Sequence, residues 1–348
     1  MLKAYRYKLE PNKSQRYALA RTLDVCRELY NLCLHQRKLH PISRYEQSAQ
    51  LTQLKAELPV YKNVYSQVLQ HVLGRVDQAV KNFLRSGFGF PRFKGANRFD
   101  SFTYPQAGFS LGGRRLSLAK IGNVKLRLSR PLPRGAVVKT CSIKRSVNGW
   151  FATLTFEHQP VPLPANDLAV GIDVGVTTFA KFTDGTEIPN PRIYQNSQAK
   201  LRRAQRRVAR RKKGSQRRRR AVRQVQKVHL RMRNRRSDFL HKHSTAVIIK
   251  YGTVKVEALN VSGMSRGNLA KQILDCSWSE WFRQLRYKAE EAGRRLVAVH
   301  PKYTSQICSQ CGFKHPDNRK TQADFACLSC GHRDNADHNV SRQHIGSE

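Results

Sequence analysis

Alternation opens the chain. Tyr5, Tyr7 and Leu9 are apolar while Arg6, Lys8 and Glu10 are polar, the period-two pattern of a half-buried strand. Pro11-Asn12 ends it, and Asn12 or Ser14 is placed to cap a helix. Leu19, Leu23, Cys26, Tyr30 and Cys33 then recur at helical spacing. Leu51, Leu54 and Leu58 mark a shorter helix. A third stripe of Val64, Val68, Val72, Val76, Val80 and Phe83 predicts a helix over 64–84. Helical periodicity stops at Ser86, and 87–95 reads as a glycine- and phenylalanine-rich loop with positive charge. Beyond it, short strand patterns at 115–119, 124–128, 137–145 and 150–156 predict a small β-barrel. Pro160, Pro162 and Pro164 make a stiff linker, where a domain boundary is expected.

The second half opens on an apolar run, 167–178, that carries one carboxylate, Asp173, just before a glycine turn. A return strand comes next at 179–183, then a turn at Asp184-Gly185 and a third short strand. Leu201, Ala204 and Val208 resume helical spacing, Gly214-Ser215 interrupts, and Val222, Val225, Val228 and Met232 continue it. Two helices joined by a turn are predicted, with one thin apolar seam. A separate helix is expected over 238–250, then a strand around Glu257, a helix over 278–292 and a strand over 295–300. Alternating strands and helices point to a mixed α/β sheet.

Charge changes this picture. Lys and Arg number 65 against 23 Asp and Glu, a net charge of +42, the footprint of a protein that meets a polyanion, nucleic acid being the usual one. Residues 200–236 hold 19 of those cations and no acid, so the paired helices are expected to need an anionic partner to be well ordered. No apolar run reaches membrane-spanning length and no apolar signal core opens the chain, so a cytoplasmic location without membrane attachment is expected.

Two groups of residues carry chemistry. Cys308-Ser-Gln-Cys311 and Cys327-Leu-Ser-Cys330 are two thiolate pairs, each followed by a glycine, in the pattern of a structural tetrathiolate zinc site. His315 and His332 are alternative ligands. The other four cysteines read as small apolar residues. The acids form the second group. A carboxylate amid Val170, Ile172, Val174 and Val176 is costly to bury without a cation. Two-metal phosphodiester cleavage needs several acids converging from different elements. Asp173 and Glu257 fit that need, with Asp337 as third member and Asp334, Asp324 and Glu280 as rivals.

The chain resembles the TnpB family of transposon-encoded RNA-guided nucleases, relatives of the type V CRISPR effectors. The likeness runs from Lys3-Ala-Tyr-Arg-Tyr-Lys-Leu9 through Pro91-Arg-Phe-Lys94 and 101–106 to Gly171-Ile-Asp-Val-Gly175. It continues through 203–207, 238–242 and 304–308 to Asp337-His-Asn339. The resemblance implies an α+β multi-domain protein. A wedge β-barrel (1–10 and 86–165) would be interrupted by a helical recognition lobe (11–85). A RuvC-like nuclease domain of RNase H fold (166–348) would come after it, with a zinc ribbon inserted at 301–333. Asp173, Glu257 and Asp337 would be the catalytic acids, holding Mg2+ or Mn2+, and Asp337 is selected because it opens an Asp-x-Asn pattern. Val340-Ser341, where two alanines are usual, and Ala258, where an acid is common, depart from the family. The implied activity is cutting double-stranded DNA beside a short flanking motif, guided by RNA from the transposon end. Arg202, Arg203, Arg206, Arg207, Arg210, Arg217, Arg218 and Arg220 would hold phosphates. Ser66, Gln67 and Gln70 would read the flanking motif. A prokaryotic, nucleoid-associated protein is implied, and monomer and dimer stay open. An RNA-guided repressor weak in cutting and a transposase acting without RNA are the alternatives.

Overall fold

The computed structural model describes every residue except 97, 134, 300–305, 320, 322–323, 337–338 and 340–348. The chain forms two compact units, Met1–Gln159 and Pro160–Glu348.

In the first unit, strand β1 (Leu2–Glu10) buries Tyr7 and Leu9 as its alternation dictates. Helix α1 (Lys13–Leu39) starts with Asn12, whose side chain accepts from the Gln15 amide while Gln15 reaches back to the Asn12 amide. Helix α2 (Arg44–Glu57) repeats the device with Ser43 and Glu46. Helix α3 (Ser66–Ser86) ends at Gly87, which takes the left-handed conformation (φ 64°) that favours glycine. Strands β2 (Ser101–Tyr104), β3 (Phe109–Gly112), β4 (Arg115–Leu118), β5 (Gly122–Arg127), β6 (Val137–Ser146) and β7 (Gly149–Glu157) complete the unit.

With β1 these form one seven-stranded antiparallel sheet in the order β2-β6-β7-β1-β5-β4-β3. The expected barrel does not close: among the described residues no ladder joins β2 to β3. Both end strands are only four residues long. Tyr104 of β2 bridges the ends instead, its ring 6.4 Å from Phe109 and its hydroxyl donating to the Ala119 carbonyl at 2.9 Å. A side chain spans the gap that a closing ladder would fill. The β2 and β3 segments carry no long alternating pattern, which is why the sequence does not announce them as strands.

In the second unit, β8 (Ala169–Val174), β9 (Thr178–Phe182) and β10 (Glu187–Pro189) form an antiparallel meander. Helices α4 (Ile193–Ala209) and α5 (Gln216–Lys250) lead to β11 (Thr253–Glu257). Short helices α6 (Val261–Met264) and α7 (Ala270–Cys276), then α8 (Trp278–Ala292), lead to β12 (Arg295–Val299). The five strands lie in the order β10-β9-β8-β11-β12, and β8, β11 and β12 run parallel. Val170, Ile172, Val254 and Val256 share one core with Leu240 and Val247 of α5 and with Trp281, Leu285 and Ala289 of α8.

Helix α5 corrects the expectation of a break before residue 238. It runs unbroken for 35 residues. Arg236, at the expected break, donates to Asp275 at 2.6 Å, and Asp238 pairs with Lys242 one turn on. At the end of α5, Asp184 accepts from Lys250 at 2.8 Å and from the Tyr251 hydroxyl. Burial works to raise that carboxyl, but the donors outweigh it and hold it well below the usual carboxylate range.

Candidate active site and metal centre

The placement of Asp173 and Glu257 comes from strand register. Parallel β8 and β11 pair Val254 with Val170, Lys255 with Gly171 and Val256 with Ile172. One further step sets Glu257 beside Asp173 at the carboxyl ends of both strands, where α/β sheets commonly bind ligands. Residues paired across strands share a face. Both acids therefore lie opposite the face of Val170, Ile172, Val254 and Val256, which is packed against the helices. Both are half-buried. Lys181, the β9 partner of Asp173, and Lys255 belong to the same face, so the acids have cationic neighbours. Sequence reasoning does not single out those lysines; strand alternation from Asp173 and Glu257 would have found Lys255.

Gly252 fixes this register. Its amide and that of Thr253 both donate to the Leu168 carbonyl, at 2.9 and 3.2 Å. The Asn166 side chain meanwhile donates to the Lys250 carbonyl at 3.0 Å. The chains cross so closely that a Cβ at residue 252 would lie 1.5 Å from the Asn166 carbonyl oxygen. Only glycine fits there.

Of the other acids weighed, Asp337 lies outside the described residues. Glu280 is committed elsewhere, accepting from Nε and Nη2 of Arg283 at 2.8 and 2.7 Å. Asp324 accepts from Thr321, and Asp334 stands 3.9 Å from His332.

The four cysteines converge. The sulfurs of Cys308, Cys311, Cys327 and Cys330 all lie within 4.8 Å of one another. Cys308 and Cys330 are 3.6 Å apart, Cys311 and Cys327 3.5 Å. Four thiolates on a tetrahedral zinc at about 2.3 Å would stand roughly 3.8 Å apart, so the cage could hold that ion. Each knuckle turns through a left-handed glycine, Gly312 and Gly331 (both φ 71°), whose amides donate to the Cys308 and Cys327 carbonyls. At Cys327 burial pushes the thiol up, yet the Ser329 and Cys330 amides, with neighbouring thiols, bring it down to about 7. Neither His315 nor His332 joins the cluster.

The two basic helices form an antiparallel pair around Ile193, Leu201, Val228 and Met232. The turn between them is capped by Ser215, which accepts from the Arg218 amide. Arg202, Arg203, Arg206, Arg207, Arg210, Arg217 and Arg220 are exposed and Arg218 is half-buried. Among the described residues, no carboxylate pairs with any of the eight. The base of the pair is fastened through Asp275, which receives Arg236 of α5 and, at 2.8 Å, the Tyr194 amide of α4. In the first unit, Ser66 receives the Lys55 ammonium at 2.7 Å and Gln67 accepts from the Ala107 amide at 3.2 Å, while Gln70 is exposed. Two of those three side chains thus already serve the fold.

Matches to known proteins are of three kinds. Residues 153–268 match the IS605 OrfB family, described as "Probable transposase". Residues 278–343 match the "Cas12f1-like, TNB domain" and 1–47 a "Helix-turn-helix domain" of the OrfB family. A "Putative RNA-guided DNA endonuclease" of Streptomyces pristinaespiralis is 35% identical over 98% of this chain and 88% of its own. A "Putative RNA-guided DNA endonuclease InsQ" of Escherichia coli K12 is 33% identical over 98% and 91%. The fold is similar to that in a cryo-EM structure of the Cas12f1-sgRNA-target DNA complex. The TM-score is 0.60 at 12% identity, covering 96% of this chain and 82% of that one.

Proposed function

The chain belongs to the TnpB family, the IS605 OrfB group that includes these curated relatives, and from that premise we propose that it is an RNA-guided DNA endonuclease of an insertion sequence. The observation that carries the reading is the parallel register of β8 and β11, which, carried one residue past Ile172 and Val256, brings Asp173 and Glu257 to the same strand ends, in a chain with a net charge of +42.

The second unit acts as a RuvC-like nuclease domain. Asp173 and Glu257, with Asp337 as third acid, would hold magnesium or manganese; their oxygens suit a hard divalent cation. Such ions, when bound, lower the barrier to phosphodiester hydrolysis by stabilising charge on the attacking and leaving oxygens. The carboxylates would hold those cations where the scissile phosphate lies. Water attacks phosphorus, forming a new P–O bond as the bond to the leaving sugar oxygen breaks, and the proton water gives up is matched by the one the leaving oxygen takes. The basic helices α4 and α5 hold phosphates of the guide or target. Guide RNA from the transposon end supplies sequence by base pairing, and the protein reads a short flanking motif on double-stranded DNA.

Zinc in the four-cysteine cage is structural. Purified protein is expected to carry about one zinc per chain, and Cys327→Ser to lower that well below one, read by metal analysis. Structural zinc binds zinc-finger peptides with an apparent free energy of roughly 10–16 kcal/mol, and in such small modules that binding is coupled to folding. Cys327→Ser should therefore also abolish protection of the surrounding amides from hydrogen exchange.

The test of the main proposal is to purify the chain from cells carrying its native flanking DNA and sequence the bound RNA. The complex is then given matching and mismatched plasmids with magnesium. One discrete RNA and cutting confined to the matching plasmid are expected. Guided binding without cutting would replace this reading with an RNA-guided repressor. Cutting without any discrete RNA would return the chain to a DNA-only transposase.

A further inference from the structure

From residue 78 to residue 99 the sequence holds five lysines and arginines, five phenylalanines and no acid. Phe99 is buried beside Tyr30. The others are not: Phe88 is 64% exposed, Phe93 50% and Phe90 38%. Apolar surface left in water is unfavourable in proportion to its area, so a cluster of rings kept outside a core suggests a partner.

This loop is nonetheless held in place. Asn31 of α1 grips Lys94 twice, donating to its carbonyl at 3.0 Å and accepting from its amide at 2.7 Å. The Lys94 ammonium stands 5.3 Å over the Tyr30 ring. Phe90 sits edge-on to Phe83, with centroids 5.4 Å apart, and Phe93 lies 6.3 Å from His35. A Cβ at Gly87, Gly89 or Gly95 would meet nothing within 4 Å, so these glycines answer no packing need. Gly87 serves the left-handed turn that ends α3.

We propose that this loop is a stacking platform for unpaired bases. A single strand of nucleic acid would lie across it, with bases on the faces of Phe88 and Phe93 and phosphates on Arg85 and Arg92. The chemistry separates this ligand from two others. A duplex keeps its base faces inside its own stack and would use the cations alone, leaving the rings idle. A protein interface enriches aromatics but depletes lysine, and a stretch without one acid suits a polyanion better. The proposal rests on the reading of the chain as a nucleic-acid enzyme and adds which state of the strand it binds here.

The test uses the full chain freed of nucleic acid, with a ~12-nucleotide oligothymidylate and a ~12-base-pair duplex as probes at one fixed salt concentration. Phe88→Ala/Phe93→Ala is expected to weaken oligothymidylate binding at least about tenfold, since two stacking faces are lost. Duplex binding should stay within about twofold, as its phosphate contacts are untouched. Phe88→Tyr/Phe93→Tyr should restore the single strand. Equal loss on both probes, or loss on neither, would overturn the proposal. So would oligomers that dissociate in the alanine variant while its oligothymidylate affinity holds, because the loop would then be a protein interface. An unchanged melting temperature excludes misfolding as the cause. None of these readouts involves cutting or a guide, so the platform and the nuclease reading can fail separately.

Discussion

Asp173→Asn is expected to leave the chain folded and loaded with RNA while guided cutting falls about a thousandfold or more. The substitution keeps shape and volume but removes the negative charge that makes the side chain a strong ligand for a hard cation. Charge stabilisation by a bound cation is worth several kcal/mol at the transition state. At about 1.4 kcal/mol per tenfold in rate, several kcal/mol is a thousandfold. The strand itself should tolerate the change, because Asp173 lies on the face opposite the Val170–Ile172 core. Single-turnover cutting of a matched plasmid, alongside guided binding to the same plasmid, is the measurement. Binding lost together with cutting would make Asp173 a folding residue. Cutting at the wild-type rate would remove it from the active site.

Gly252→Ala is the second large effect, and it acts through the backbone. The new methyl would stand 1.5 Å from the Asn166 carbonyl oxygen, half the closest approach that such atoms make. Neither atom is the end of a flexible side chain, so one of the two crossing strands must move. Overpacking a tight site costs roughly 1–3 kcal/mol and more where backbone must shift. For a unit of this size, 3 kcal/mol corresponds to a melting temperature lower by about 6–12 °C. Calorimetry reads that directly. Gly267→Ala is the matched control, since its Cβ meets nothing nearer than 3.9 Å. Because Gly252 sits where the β8–β11 register begins, cutting should drop further than the loss of folded protein explains. A melting temperature equal to that of the control would show that the crossing is looser than the geometry implies.

Much of the fold can be read along the chain because its signals are local. Asn12 and Ser43 announce two capping boxes, valines four apart trace the stripe of α3, and two Cys-x-x-Cys-Gly knuckles spell out the four-sulfur cage. The features that escape such reading depend on distant pairing. The adjacency of Asp173 and Glu257 needs a parallel register between segments 84 residues apart in sequence, set by one glycine and the Leu168 carbonyl. The continuity of α5 is hidden for a similar reason. In sequence Arg236 looks like the end of a charge run, because the Asp275 that holds it comes from a helix too short to leave a periodic pattern. Closure of the β-sheet is overestimated because strand spacing says nothing about whether the last edge finds the first.

That open sheet has a bearing on how copies of the molecule meet. An unclosed sheet offers edge strands, and exposed edges are templates on which further chains can add. Here β2 and β3 are four residues each, which leaves few outward amides and carbonyls for an incoming strand. β3 also runs into Gly112-Gly113, with Gly113 in a left-handed turn that ends the extended backbone. Every other copy carries the same charge of +42, so long-range repulsion opposes the approach that edge pairing would need. Aggregation is thus resisted twice, by short edges at contact and by like charge at a distance. Neutralisation by bound polyanion removes only the second barrier.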